Sequence, residues 1–122
     1  MNIDYINVNG TDIAAVSGDA AEITTPQAAL DLAMTVKYQS GAERIVLDKR
    51  VLGEDFFVLS TGVAGEILQK FVNYRVKAAI YGDFSRYTSK PLRDFLYESN
   101  NGTDFFFTAT KEEAIERLTK AR

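Results

Sequence analysis

The sequence predicts one α/β domain with a mixed, mostly parallel sheet and four helices. Strand-like apolar runs alternate with helix-like stretches. In such an order each helix forms a right-handed crossover between two strands, and the strands are therefore parallel. An Asn9-Gly10 pair between the first two β-rich runs predicts a tight hairpin, and therefore an antiparallel edge at the amino end. The chain has 122 residues, 46% of them hydrophobic and 25% charged, which suits a single domain over residues 1–122. The predicted element order is ββαβαβαβα.

The first half of the chain predicts the hairpin and one helix. Ile3 to Val8 and Thr11 to Ser17 are the two strands. Thr25 then caps a helix whose first residue is Pro26, where the missing N–H costs nothing. Ser40-Gly41 ends this helix. Its predicted buried face consists of Ala29, Leu30, Ala33, Met34 and Tyr38.

The second half predicts three strands, each followed by a helix. Arg44 to Asp48, Val76 to Tyr81 and Asp104 to Thr108 carry consecutive apolar residues, which is typical of strands covered on both faces. Ser60-Thr61-Gly62 opens the second helix, and this helix has the clearest apolar face in the chain: Val63, Ala64, Ile67, Leu68, Phe71 and Val72.

The last two helices have recognisable starts. The third runs from Ser89 or Lys90 to Ser99, and packs Leu92, Phe95 and Leu96. The fourth follows Thr110, which forms a capping box with Glu113 and satisfies free N–H groups of the first turn.

The composition excludes several chemistries. The chain has no cysteine and no histidine, so it has no disulfide, no thiolate metal site and no Ser-His-Asp or Cys-His device. Any general acid or base would have to be an Asp, Glu, Lys or Tyr side chain with a shifted pKa. We therefore expect no catalytic residue, no metal and no cofactor, and a non-enzymatic role is favoured.

The charge distribution argues against two classes of partner. The formal net charge is -3, and no run of Lys and Arg is long enough to neutralise several phosphates, so we expect no nucleic-acid binding. The amino end lacks the pattern of a signal peptide, and no apolar run is long enough to span a bilayer. We expect a cytoplasmic, bacterial-type protein.

A binding site is expected at the carboxyl edge of the sheet, because ligands of open α/β sheets bind there. The loops after the third and fourth strands supply the candidate residues: Asp48, Asp55, Phe56, Phe57, Ser60, Thr61, Gly62, Asp83, Phe84, Ser85, Arg86 and Tyr87.

The polar members of this set allow more than one interpretation. Ser60 and Thr61 lie at a helix start that favours an anion, bound or attached to the hydroxyl, or they are simple N-caps. The carboxylates of Asp48, Asp55 and Asp83 either converge on a magnesium ion or are solvated. Arg86 either pairs with an anionic ligand or balances a neighbouring carboxylate.

The aromatic residues of these loops are too many to bury in a domain of this size. Phe56, Phe57, Phe84 and Tyr87 lie in predicted loops, and Tyr97 follows the core residues of the third helix. They line a pocket or form an interface. Subunit contact in a homodimer is the favoured interpretation.

Three runs of sequence resemble a known family. Glu54 to Phe57, Leu59 to Glu66 and Gly82 to Asn100 resemble the uncharacterised bacterial family called domain of unknown function 4180. The resemblance covers nearly the whole chain. It implies no activity, because the family has none assigned.

The element order also resembles the STAS domain, the fold of anti-sigma-factor antagonists. In that family a strand ending in Leu-Asp or Leu-Asn leads to Asp-Ser-Ser-Gly at a helix start, and a kinase phosphorylates the first serine. Leu47-Asp48 and Ser60-Thr61-Gly62 occupy the corresponding places here, with Leu59 where the motif has aspartate. The resemblance implies a small regulatory or protein-binding module with Ser60 as candidate phosphosite. The alternative is a small enzyme or ligand-binding protein with an anion or divalent-metal site at the carboxyl edge.

Overall fold

A computed structural model describes residues 1–121, which form a five-stranded sheet and four α-helices. The strands are β1 (Asn2–Val8), β2 (Thr11–Ser17), β3 (Arg44–Asp48), β4 (Lys77–Tyr81) and β5 (Phe105–Thr108). The helices are α1 (Pro26–Ser40), α2 (Val63–Asn73), α3 (Lys90–Asn100) and α4 (Lys111–Lys120). The predicted α/β class and element order are confirmed.

The sheet has the strand order β1-β2-β3-β4-β5. β1 and β2 are antiparallel, and every other neighbouring pair is parallel. Asn9 (φ 53°) and Gly10 (φ 87°) both have the left-handed backbone that a type I′ turn requires. The predicted hairpin edge is therefore confirmed, and it places Val8 opposite Thr11.

Helices cover the two faces of the sheet unequally. The larger core lies under α1, α2 and α3 and contains Ile45 and Leu47 of the central strand. Val46 points to the other face, where it packs with Ala114 and Leu118 of α4. The side chains of β3 thus alternate between two apolar layers, as expected of a central parallel strand.

The predicted buried face of α1 is partly wrong. Ala29 and Ala33 are buried, but Leu32 and Val36 complete the stripe that faces the core. Met34 is 53% exposed and Tyr38 is 93% exposed. Apolar residues occur nearly all around this helix, so the pattern allows more than one stripe, and packing on the sheet and on α2 decides which one is buried.

The starts of α1, α3 and α4 follow the sequence, although of the predicted Thr110–Glu113 capping box residues 1–121 show only the bond from the Glu113 N–H to the Thr110 hydroxyl. The hydroxyls of Thr25, Ser89 and Thr110 each accept a hydrogen bond from an N–H of the first turn of α1, α3 and α4. Gly41 ends α1 with φ 75°. None of the helices within residues 1–121 has the length and hydropathy of a membrane span.

The β5 edge of the sheet is closed by a side chain. The amide of Asn100, at the end of α3, accepts a hydrogen bond of 2.7 Å from the N–H of Phe107 and donates one of 3.2 Å to its carbonyl. The Arg117 guanidinium donates to the backbone carbonyl of Asn100 and lies 4.3 Å from the Phe106 ring centroid. This arrangement replaces the partner strand that an open edge would invite.

Candidate functional site

The loop after β3 is compact, because three short 3₁₀ turns follow one another. They span Lys49–Val51, Glu54–Phe57 and Leu59–Thr61. The second turn directs Phe56 and Phe57 into the core, where they are 1% and 4% exposed. Phe56 and Phe57 are therefore core residues, and the expectation of a pocket or interface is wrong for these two. Phe84 and Tyr87 are partly buried, and Tyr97 is 71% exposed, so the expectation stays a prediction for those three.

The aromatic side chains of both loops form one cluster. Phe57 stacks on Tyr87 with 5.0 Å between ring centroids. Phe84 lies 5.7 Å from Phe57 and 5.7 Å from Phe107. The loop after β3 and the loop after β4 are thus joined by packing of the kind that contributes about 0.5–1.5 kcal/mol per ring pair beyond area burial.

A lysine covers the outer side of this cluster. The Lys49 ammonium lies 4.6 Å from the Tyr87 ring centroid, 5.4 Å from that of Phe57 and 6.0 Å from that of Phe84. Its stem passes over Gly82, where an added Cβ would lie 2.8 Å from the Lys49 Cβ. A side chain at position 82 would therefore displace the lysine.

An ion pair joins the same two loops at the surface. The Arg86 guanidinium donates to one carboxylate oxygen of Glu54, and the Tyr87 hydroxyl donates to the other at 3.2 Å. Of the two interpretations of Arg86, the structure shows the one in which it balances a neighbouring carboxylate.

The three aspartates of the predicted site have separate environments. The Asp83 carboxylate accepts hydrogen bonds from the Ser85 hydroxyl at 2.6 Å and the Ser85 N–H at 2.9 Å, and these bonds lower the pKa of Asp83. Asp48 pairs with Arg50 instead, and Asp55 uses its backbone carbonyl to accept from Thr61. Within residues 1–121, no three carboxylates lie close enough to hold a metal ion.

Asp48 is the buried charge of this edge. Burial by itself raises its pKa, but hydrogen bonds from the Arg50 side chain and N–H lower it more, so the pKa of Asp48 lies below its ordinary value. Tyr81 and Thr108 occupy the neighbouring positions of β4 and β5 on the same face of the sheet. Burial, and then the Asp48 carboxylate, raise the pKa of Tyr81.

Tyr81 was missing from the predicted site. Its signal in the sequence is positional: it ends a buried strand, as Asp48 does, and parallel pairing places the ends of neighbouring strands side by side. The Thr108 hydroxyl donates to the carbonyl of Thr110 at 2.8 Å, so its proton is engaged by the loop that follows β5.

The start of α2 differs from the prediction. Gly62, with φ 78°, occupies the N-cap position, and neither Ser60 nor Thr61 does. The Thr61 hydroxyl shares its proton between the carbonyls of Asp55 and Val58 and accepts from the N–H of Val63. The left-handed backbone of Gly62 lets the chain turn from the last 3₁₀ turn into the helix. Ser60 is exposed on that turn.

The comparison with protein families decides the classification. The family model described as Domain of unknown function (DUF4180) matches residues 8–118. The chain belongs to this family. No curated protein and no solved structure matches the chain.

The carboxyl edge of this DUF4180 domain is a packed surface. The charges of Asp48, Glu54 and Asp83 are satisfied by neighbours in the same two loops. Aromatic rings fill the space between those loops. Charge pairs and ring packing thus hold the two loops to each other.

Proposed function

We propose that this DUF4180 domain is a non-enzymatic protein-binding module that presents the β3–α2 loop to a partner, with Ser60 as a site of regulatory phosphorylation. The observation that carries the proposal is that Ser60 is exposed on a turn whose neighbours Phe57 and Thr61 are held by core packing and by hydrogen bonds.

Two anchors give the loop its rigidity. Phe56 and Phe57 fix it to the core from one side. On the other side, the Thr61 hydroxyl shares its proton between two carbonyls of the loop and accepts a hydrogen bond from the N–H of Val63, the first residue of α2. A preorganised loop loses little conformational entropy on binding, which favours affinity.

The exposed part of the loop combines apolar and modifiable groups. Val58 is 49% exposed and lies two residues before Ser60. A phosphate on Ser60 would add about 1.5–2 negative charges at pH 7 beside this apolar contact. Such a group changes the electrostatic match with a partner without any rearrangement of the buried loop.

The resemblance to STAS domains supports the same role. The resemblance rests on the element order ββαβαβαβα, which is also the order of the elements in the structure. In STAS domains, a serine at the corresponding place before a helix is the phosphorylated residue. The alternative of an anion or metal site has less support, because Asp48, Glu54 and Asp83 are engaged by neighbours.

Capture from a lysate of the source cells tests the proposal. Ser60→Glu and Val58→Asp are each expected to change the set of proteins retained on immobilised domain, identified by mass spectrometry. Incubation of the wild-type domain with lysate and ATP is expected to add one phosphate group, and Ser60→Ala is expected to prevent it.

Thr103→Glu is the matched control, because Thr103 is exposed near the opposite edge of the sheet and the change adds the same charge. Identical capture by Ser60→Glu, Val58→Asp and Thr103→Glu would contradict the proposal. Thermal stabilisation by a divalent metal ion or inorganic phosphate, abolished by Asp48→Asn or Arg86→Gln, would favour the ligand-binding alternative.

A further inference from the structure

The two edge strands of the sheet, β1 and β5, differ in whether their outward backbone groups are hydrogen-bonded. At the β5 edge, the Asn100 amide occupies the outward N–H and carbonyl of Phe107. At the β1 edge, the outward backbone groups have no hydrogen-bond partner within residues 1–121. The β1 edge is therefore available to an additional strand, whereas the β5 edge is blocked at Phe107.

The hairpin geometry identifies the available groups. A two-residue turn makes Val8 and Thr11 the first hydrogen-bonded pair, so alternate residues of β1 bond to β2. The N–H and carbonyl groups of Ile3, Tyr5 and Asn7 consequently point away from the sheet. β1 is seven residues long and contains no proline, glycine or lysine that would discourage pairing.

A groove runs beside this edge on the α1 face. It has a volume of about 270 Å³ and its apolar lining comes from Met1, Ile3, Ile23, Ala28 and Leu32. A strand added to β1 would direct alternate side chains toward this groove, because strand side chains alternate between faces. An open strand edge beside an apolar groove is the arrangement that binds peptides by strand addition.

The charge around the groove selects the kind of strand. Residues 1–36 contain no Lys or Arg, and all 14 basic residues lie between Lys37 and Arg122. The same stretch carries five carboxylates, namely Asp4, Asp12, Asp19, Glu22 and Asp31. Glu22 and Asp31 line the groove; Glu22 is paired there with the N-terminal ammonium of Met1 at 3.0 Å, and Asp31 has no ion-pair partner within residues 1–121. A second copy of β1 would bring like charges together, whereas a basic strand would be attracted.

We infer that the β1 edge binds an extended basic segment of a partner protein, which adds as a sixth strand and places apolar side chains in the groove under α1. This surface is separate from the β3–α2 loop, and the inference does not depend on the function proposed for that loop.

A synthetic probe tests the inference directly. A fluorescent heptapeptide that alternates lysine and valine is expected to bind the full chain saturably, as measured by fluorescence anisotropy. The same peptide with alternate backbone amides N-methylated, and a heptapeptide that alternates glutamate and valine, are expected to bind at least about tenfold more weakly. Amide exchange at Ile3, Tyr5 and Asn7 is expected to slow on binding, and exchange at Phe107 to stay unchanged.

Protein variants locate the binding site. Tyr5→Pro removes one outward N–H and leaves the backbone bonds from β1 to β2 intact, so it is expected to weaken binding. Because this change also removes the bond from the Tyr5 hydroxyl to Gln39, Tyr5→Phe, which loses only that bond, is the control and is expected to bind like the wild-type chain. The double variant Asp4→Lys with Asp31→Lys reverses two exposed charges and is expected to weaken binding about tenfold. Glu98→Lys makes the same type of change on exposed α3 and is expected to have no effect. The charge variants keep the test valid if Tyr5→Pro fails to fold.

Three results would overturn the inference. The first is no saturable binding of the lysine–valine peptide. The second is equal binding by the wild-type chain and by the Asp4→Lys, Asp31→Lys variant. The third is a concentration-dependent dimer in which Ile3, Tyr5 and Asn7 amides become protected, because a second copy would then occupy the edge.

Discussion

Asn100 offers the sharpest test of how the fold is held together. Its side-chain amide makes two hydrogen bonds to Phe107, of 2.7 Å and 3.2 Å, at a partly buried position. Asn100→Ala removes both bonds and leaves the N–H and carbonyl of Phe107 without a protein partner. The neighbouring Asn101 is a natural control, because its amide makes a single exposed bond to the carbonyl of Tyr97.

The expected destabilisation follows from these contacts. Each lost hydrogen bond is worth about 1 kcal/mol net, which gives a loss of about 2 kcal/mol. The better helix propensity of alanine offsets up to about 0.5 kcal/mol of it. The free energy of unfolding should therefore fall by about 1.5 kcal/mol for Asn100→Ala and by about 0.5 kcal/mol or less for Asn101→Ala.

Urea unfolding followed by circular dichroism measures this difference. With a urea dependence of about 1.5 kcal/mol/M, the midpoint for Asn100→Ala should lie about 1 M below that of the wild-type chain. Amide exchange at Phe107 should become faster in this variant. Equal midpoints for the two alanine variants, or unchanged exchange at Phe107, would refute the assignment of Asn100 as the closure of the β5 edge.

Three further changes probe the carboxyl edge. Gly82→Ala should destabilise the fold by about 1–3 kcal/mol in urea titrations and displace the Lys49 ammonium from the aromatic rings, seen as changed ring chemical shifts. Phe56→Ala should cost about 3–5 kcal/mol, since the ring is fully buried, and a loss below about 1 kcal/mol would contradict its place in the core. The depressed pKa of Asp48 adds stability above its unfolded pKa of about 3.9, and this stability is lost as the pH falls through the lower folded pKa. Arg50→Ala removes the side-chain hydrogen bonds that lower the pKa of Asp48, so burial becomes the largest influence on that pKa. A carboxyl titration by NMR should then show the pKa of Asp48 above its ordinary value. A pKa equal to that of the wild-type chain would contradict this account.

The candidate site was predicted only in part. The sequence placed the two loops at the same edge, because parallel strands bring their carboxyl ends together. It did not predict that Glu54 would pair with Arg86 or that Phe57 would stack on Tyr87. Such pairs join residues far apart in the chain, and no local pattern specifies them.

The role of Ser60 illustrates the same limit. Serine and threonine before an apolar run predict an N-cap, yet the structure assigns that position to Gly62. The Thr61 hydroxyl bonds to carbonyls of the preceding turn instead. That choice depends on the 3₁₀ turns of the loop, whose geometry is set by the burial of Phe56 and Phe57.

The sequence by itself determined the α/β class, the element order and the hairpin edge. These features depend on short-range rules, such as turn chemistry, capping and runs of apolar residues, that act over a few positions. The tertiary structure alone decided which stripe of α1 is buried, how the aromatic loops close the carboxyl edge and which sheet edge stays open. Those outcomes depend on packing between distant segments, where several apolar faces compete and the best-packed arrangement prevails.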